Sequence, residues 1–252
     1  IIRCEKRMKF CYRIIFSLVF TLVLFGCSRT IPKERIFIPQ KEPIQEIKQK
    51  NLPLKSPMTP KTNDGTLIVI DAGHGGKDDG TQSHTYPICL EKTMTLSTAK
   101  MLDIFLKSMG YRTIMTRNND VFIGLSERAK FANEKNPKLF LSVHYNAAEN
   151  RKANGIEVYY YNAEADTKRT KDSKKLANLV LEGVIANTKG KSRGAKHGNF
   201  AVIRETKMPA IIVEGGFMTN DLEMEKLRDK NYTKKIAWGI AQGVKKYLDG
   251  NL

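Results

Sequence analysis

Four residues in this chain have the types and surroundings for metal-assisted hydrolysis. His74 lies in Ile70-Asp71-Ala72-Gly73-His74-Gly75-Gly76, just past a β-branched run. Glu91 opens the helix-like stretch Glu91-Lys92-Thr93-Met94-Thr95-Leu96, and His144 ends Leu139-Phe140-Leu141-Ser142-Val143-His144. Glu214 ends Ala210-Ile211-Ile212-Val213-Glu214 and precedes Gly215-Gly216-Phe217. Two imidazoles and one carboxylate are a ligand set for a catalytic zinc ion with one position left open for water. A further carboxylate beside such a site could take the proton as water attacks. A carboxylate that ends an apolar strand is costly unless it has a task, so Glu214 requires one.

Residues of this kind act together only if the chain brings them to one edge. Leu67-Ile68-Val69-Ile70 reads as a buried strand, being continuously apolar and β-branched. From Glu91 to Met109, Leu96, Ala99, Leu102, Phe105 and Leu106 recur at helical spacing, and Gly110 stops the helix. Strands are predicted at 111–116, 139–143, 156–160, 200–204 and 210–213. Helices are predicted at 125–133, 174–186, 221–228 and 233–248. This alternation defines an α/β fold of three layers, a central twisted, mostly parallel or mixed sheet with helices on both faces, in a single catalytic domain. Such sheets place ligands at the C-terminal ends of their strands, where Asp71, His144 and Glu214 fall. The helix dipole also favours a carboxylate at the position of Glu91.

The four segments, in this order, strongly resemble the zinc-dependent N-acetylmuramoyl-L-alanine amidases of bacterial cell walls, the family 3 type. The likeness runs from about Thr66 onward. It includes Thr116-Arg117-Asn118-Asn119-Asp120, Leu125-Ser126-Glu127-Arg128-Ala129 with Ala132-Asn133, Ser142 to Ala147, and Val213 to Asn220. The resemblance implies His74, Glu91 and His144 as ligands of one zinc ion per chain and Glu214 as general base. It implies hydrolysis of the amide between the lactyl group of N-acetylmuramic acid and the L-alanine of the stem peptide, in wall remodelling or septal separation. Peptidoglycan or muropeptides are the implied partners, with divisome proteins. Some members carry an inserted helix over the zinc, after the strand that follows the second histidine. Between Tyr161 and Arg193 this chain has room for one ordinary helix, which implies an open, constitutively competent site. Arg117 and Asp120 read first as a strand-end ion pair or turn, and Asn146 as a brace for the His144 loop.

The formal net charge is +17. Residues 1–26 contribute +4 and residues 28–62 contribute +5, which leaves +8 for the remainder. A basic domain attracts polyanions. No nucleic-acid motif accompanies the charge, and the carboxylates of peptidoglycan stem peptides fit it. Cys4, Cys11 and Cys27 belong to an N-terminal export region, so no disulfide framework is expected. Cys89, near Glu91, reads as a free or packed thiol.

Lys9 and Arg13 precede a short apolar run from Ile14 to Phe25, as in a secretory signal. The run falls short of the roughly 20 residues that span a bilayer. Leu24-Phe25-Gly26-Cys27 resembles a lipobox, which implies cleavage after Gly26 and lipid on Cys27. Met8 is a natural start ahead of this signal. Six of the nine prolines fall in residues 28–62, a composition of semi-rigid spacers. The expected organisation is a signal and lipobox segment (1–27), a proline-rich basic tether (28–63) and a zinc amidase catalytic domain (64–252). The protein is then exported, periplasmic and anchored to the membrane through Cys27.

Rival readings remain. Ser97-Thr98-Ala99-Lys100 fits the Ser-x-x-Lys nucleophile motif of penicillin-sensitive DD-carboxypeptidases, although the companion Ser-Asp-Asn and Lys-Thr-Gly motifs are missing. A non-catalytic, lipid-anchored peptidoglycan-binding protein is a second rival. A zinc hydrolase of the same fold acting on another wall bond is a third. His84 and His197 read as solvated loop residues.

Overall fold

The computed structural model describes residues 65–250. The signal, Cys27 and the whole tether lie outside the described residues. Six strands form one sheet: β1 (Leu67–Ala72), β2 (Arg112–Met115), β3 (Leu139–Asn146), β4 (Ile156–Tyr160), β5 (Ser192–His197) and β6 (Ala210–Phe217). Their spatial order is β2-β1-β3-β6-β4-β5. The pairs β1–β2, β1–β3, β3–β6 and β4–β5 are parallel, and β4–β6 is antiparallel. The helices are α1 (Glu91–Ser108), α2 (Leu125–Lys135), α3 (Thr167–Thr188), α4 (Ala201–Arg204), α5 (Asp221–Arg228) and α6 (Lys230–Asp249).

The central strands are apolar on both faces because helices cover both. On one face Ile68, Ile70, Leu139, Leu141, Val143, Ile211 and Val213 form the larger core, beneath α1, α3 and α6. Helix α1 turns Thr95, Thr98, Ala99, Leu102 and Leu106 inward, a stripe at helical spacing. Helices α3 and α6 cross closely because glycines meet there: a Cβ on Gly183 would lie 2.3 Å from the Gly239 carbonyl oxygen.

On the other face Val69, Phe140, Ile212, Val202 and Ile203 form a smaller core with α2 and α4. This smaller cover leaves the C-terminal rows of the same face to polar side chains. The segment between β4 and β5 carries the single helix α3, which packs against α6 rather than across those rows.

One expected strand is a helix. Residues 200–204 have strand-like composition, yet Ala201–Arg204 is a helical turn, with Arg204 and Glu205 donating to the Phe200 and Ala201 carbonyls. Val202 and Ile203 are buried there in the smaller core. The strand of this region is instead β5, whose sequence Ser-Arg-Gly-Ala-Lys-His lacks an apolar run. As an edge strand it has neighbours on one side only and needs no such run.

Candidate active site

Register places the chemistry in one row. His144 on β3 pairs with Glu214 on β6, and Glu214 pairs with Glu157 on β4. Directly paired residues share a face of a sheet. One row lower, Asp71 pairs with Ser142. All of these lie on the face that α2 and α4 leave partly open.

His74, Glu91 and His144 bring their ligand atoms within 4.8 Å of one another. Glu91 Oε1 lies 3.1 Å from His74 Nε2 and 3.0 Å from His144 Nδ1. Three borderline or hard donors converging in this way are the composition of a divalent-cation site. The remaining atoms are oriented from behind. His74 Nδ1 bonds Asp78 Oδ2 at 2.9 Å, the carboxylate–imidazole pairing that fixes a ligand's ring. The backbone amides of Tyr145 and Thr81 donate to the two oxygens of Glu91. Burial opposes the charge on Glu91, but hydrogen bonds and positive charge from His144 and His74 hold its carboxyl well below the usual range. Burial likewise opposes protonation of both histidines, while Glu91 raises them.

The loop carrying His74 is locked from beneath by two buried arginines. Arg128 donates to Asp71 Oδ1 (2.8 Å), Ala72 O (2.6 Å), His74 O (2.7 Å) and Ile123 O (2.9 Å). Arg117 donates to Ala72 O, Gly73 O and Lys92 O. His74 itself has φ +59, a left-handed conformation that a non-glycine residue adopts only when its surroundings impose it. These carbonyl contacts supply that constraint. Arg117 and Asp120 do not pair: Asp120 instead accepts from the Gly76 amide and the Lys92 ammonium.

Gly73 is required by close approach. A Cβ there would sit 2.2 Å from Cε1 of His144 and 2.3 Å from its Nε2. Gly73→Ala must displace that ring. The expected result is a loss of divalent-metal affinity of about 10–100-fold, as when a ligand's support is removed. Competition against a chelator of known affinity measures it.

Glu214 is part-buried, and its Oε2 is enclosed without a hydrogen-bond partner. Burial, with negative charge from Glu91 and Glu157, pushes its carboxyl from 4.5 up to about 7, against the lowering effect of His144. In metal-free protein the native state therefore holds a proton between pH 4.5 and 7 that the unfolded chain has released. Stability then falls as pH rises through that window. Glu214→Gln is expected to flatten this slope, and thermal unfolding of metal-free protein at pH 5 and pH 7.5 checks it.

Other residues fall outside this centre. Ser97 and Lys100 are both exposed on α1, and no hydrogen bond joins them among the described residues. Cys89 is free and not among the clustered ligands. His84 is exposed. His197 ends β5 beside Tyr160, toward the opposite end of the sheet from Glu214, where it accepts from the Asn162 amide. Asn146 braces β4 through Glu157 rather than the His144 loop alone. Sequence reasoning missed Asp78 and Glu157, and it did not anticipate that Arg117 and Arg128 lie buried beneath the His74 loop. The four-residue spacing of Asp78 from His74 was the one available signal.

An α/β sheet with a His-Glu-His cluster gathered beside the C-terminal edge of its central strands is the architecture of a candidate metal-site enzyme, and similarity narrows it. Residues 68–246 match the Amidase_3 family, described as N-acetylmuramoyl-L-alanine amidase. The chain belongs to that family. It is 36% identical over 194 residues to the N-acetylmuramoyl-L-alanine amidase LytC of Bacillus subtilis, covering 77% of this chain and 37% of that protein. It is 32% identical over 198 residues to the probable cell wall amidase LytH of Staphylococcus epidermidis, covering 79% and 64%. The chain thus spans between about a third and two thirds of these relatives. Among solved structures, an N-acetylmuramoyl-L-alanine amidase from Clostridium difficile 630 superposes with TM-score 0.70 at 38% identity, covering 74% of this chain and 98% of the other. The CwlD amidase from Clostridioides difficile, solved in complex with the GerS lipoprotein, gives 0.68 at 29% identity, covering 73% and 99%.

Proposed function

We propose that this protein is a zinc-dependent N-acetylmuramoyl-L-alanine amidase, hydrolysing the bond between the lactyl carbonyl of N-acetylmuramic acid and the L-alanine of the stem peptide. The observation that carries the reading is the convergence of His74, Glu91 and His144 beside Glu214, in a chain of the amidase family. Their donor set fits zinc. When bound, zinc supplies a Lewis acid that acidifies water toward neutral pH and polarises a carbonyl.

The chain's own groups do the rest. Asp78 holds the His74 ring through Nδ1, and Arg128 and Arg117 hold the backbone that carries it. Glu214 takes the proton from the attacking water and returns it to the leaving alanine nitrogen. Its Oε2, enclosed and without a hydrogen-bond partner, is the acceptor available for that proton, and the positive charge of a bound zinc would favour the ionised form that acts as base. The lactyl acid and an intact stem peptide are the products.

The setting we infer is an exported enzyme acting on peptidoglycan in wall remodelling or septal separation, lipid-anchored at Cys27 and held off the membrane by the tether. The open rows of the sheet support constitutive competence, without displacement of a covering helix.

Metal analysis and chelation test the reading. The protein is expected to carry one zinc per chain. A chelator should abolish muropeptide cleavage and zinc should restore it. Full cleavage by metal-stripped protein would overturn the mechanism.

A further inference from the structure

Beyond Glu214 the catalytic row continues to the sheet edge. Glu157, its cross-strand partner on β4, has a side chain only 3% exposed. A buried carboxylate needs several donors, and Glu157 has four. Oε1 accepts from Asn146 Nδ2 (2.6 Å) and Tyr159 Oη (2.8 Å). Oε2 accepts from Arg193 Nε (2.8 Å) and Lys196 Nζ (2.5 Å), both on β5. The two cations outnumber the one carboxylate. They are also 31% and 38% exposed, and Arg193 lies over the Phe217 ring with its guanidinium carbon 4.9 Å from the centroid. Lys196 keeps two further N–H donors. Arg193 Nη2 makes no hydrogen bond among the described residues.

We propose that Arg193 and Lys196, held in place by Glu157, form a subsite for a free carboxylate on the leaving stem peptide. This rests on the amidase reading. Glu214 returns its proton to the leaving nitrogen, so the peptide begins beside β6, and β4 and β5 lie next along the same face. Two strand spacings are about 10 Å. A carboxylate on the second stem residue lies about 7 Å from the scissile nitrogen in an extended peptide, within the further reach of long basic side chains. Glu157 serves as a positioning residue. It fixes one donor on each cation, Asn154 O accepts a second from Arg193 Nη1 at 3.4 Å, and Arg193 Nη2 and the remaining Lys196 donors face the substrate, a preorganisation that strengthens carboxylate recognition.

The test is calorimetric titration of the protein with two stem tripeptides. In one the second residue carries a free α-carboxylate, and in its twin that group is a carboxamide. The carboxylate peptide is expected to bind about tenfold more tightly, as for a hydrogen bond to a charged group. Lys196→Gln, which leaves Arg193 on Glu157, should lose most of the preference for the carboxylate peptide over its carboxamide twin. Lys196→Arg should restore it. Arg193→Gln should also lower the preference. Equal affinities in the unaltered protein, no binding of either peptide, or a preference that survives in both glutamine variants would overturn the subsite. Turnover of an N-acetylmuramoyl stem peptide in the same samples reports separately on the amidase reading.

Discussion

Glu214→Gln is expected to retain zinc and to lose about 10²–10⁴-fold in turnover, the usual contribution of a positioned general base. The substitution is isosteric and leaves His74, Glu91 and His144 untouched, so metal content should equal that of the unaltered protein. What it removes is the carboxylate of the row whose Oε2 is enclosed and unpartnered. The amide cannot take a proton from water. Because Glu214 is asked to act on both the attacking and the leaving side, the loss should appear in kcat more than in KM. Steady-state cleavage of a defined muropeptide, with zinc measured on the same sample, checks both halves. A zinc-loaded variant with near-normal kcat removes Glu214 from the mechanism.

Arg128→Met is expected to cost about 3–5 kcal/mol of stability, as when one partner of a buried ion pair is removed. Arg128 and Asp71 are 2% and 0% exposed, so neither can recover its hydrogen bonds from water. Asp71 keeps the Thr116 and Ser142 hydroxyls. Without the guanidinium, however, its charge is no longer balanced, and the carbonyls of Ala72, His74 and Ile123 each lose a donor. Arg128 also lowers the Asp71 carboxyl, against burial, together with those hydroxyls. A domain is stable by only about 5–15 kcal/mol, so the loss is a large fraction. Since the same side chain holds the His74 backbone, zinc affinity should fall with it. Denaturant unfolding measures the first effect. A cost below about 1 kcal/mol would be far under the buried-pair range and would mean that the pair is not carrying the loop.

The sheet was legible where strands are central. Leu67–Ile70 and Ala210–Val213 are apolar on both faces, and that continuity is unambiguous. Helix α1 was equally plain, since Ala99, Leu102 and Leu106 repeat at helical spacing up to Gly110. The edge of the sheet was not legible. Strand β5 is polar because it has one neighbour, while Val202 and Ile203 imitate a strand and yet bury themselves from a helical turn. In the site, the cluster of His74, Glu91 and His144 could be anticipated because each stands at an element boundary in a recognisable segment. Its supports could not. Arg117 reads from sequence as part of a strand-end ion pair or turn and Arg128 only as one residue of a family-like segment, and the fold alone reveals both buried beneath the His74 loop. Glu157 gains its meaning from a register pairing with Glu214, which no local pattern encodes.

The most direct test of the account is product mass spectrometry. The protein is incubated with defined muropeptides, with and without chelator and zinc add-back. The account predicts release of an intact stem peptide beginning with L-alanine, abolished by chelator and restored by zinc. Release of terminal D-alanine alone would contradict it and turn attention to Ser97 and Lys100, and zinc-loaded protein that yields no product would leave a binding protein.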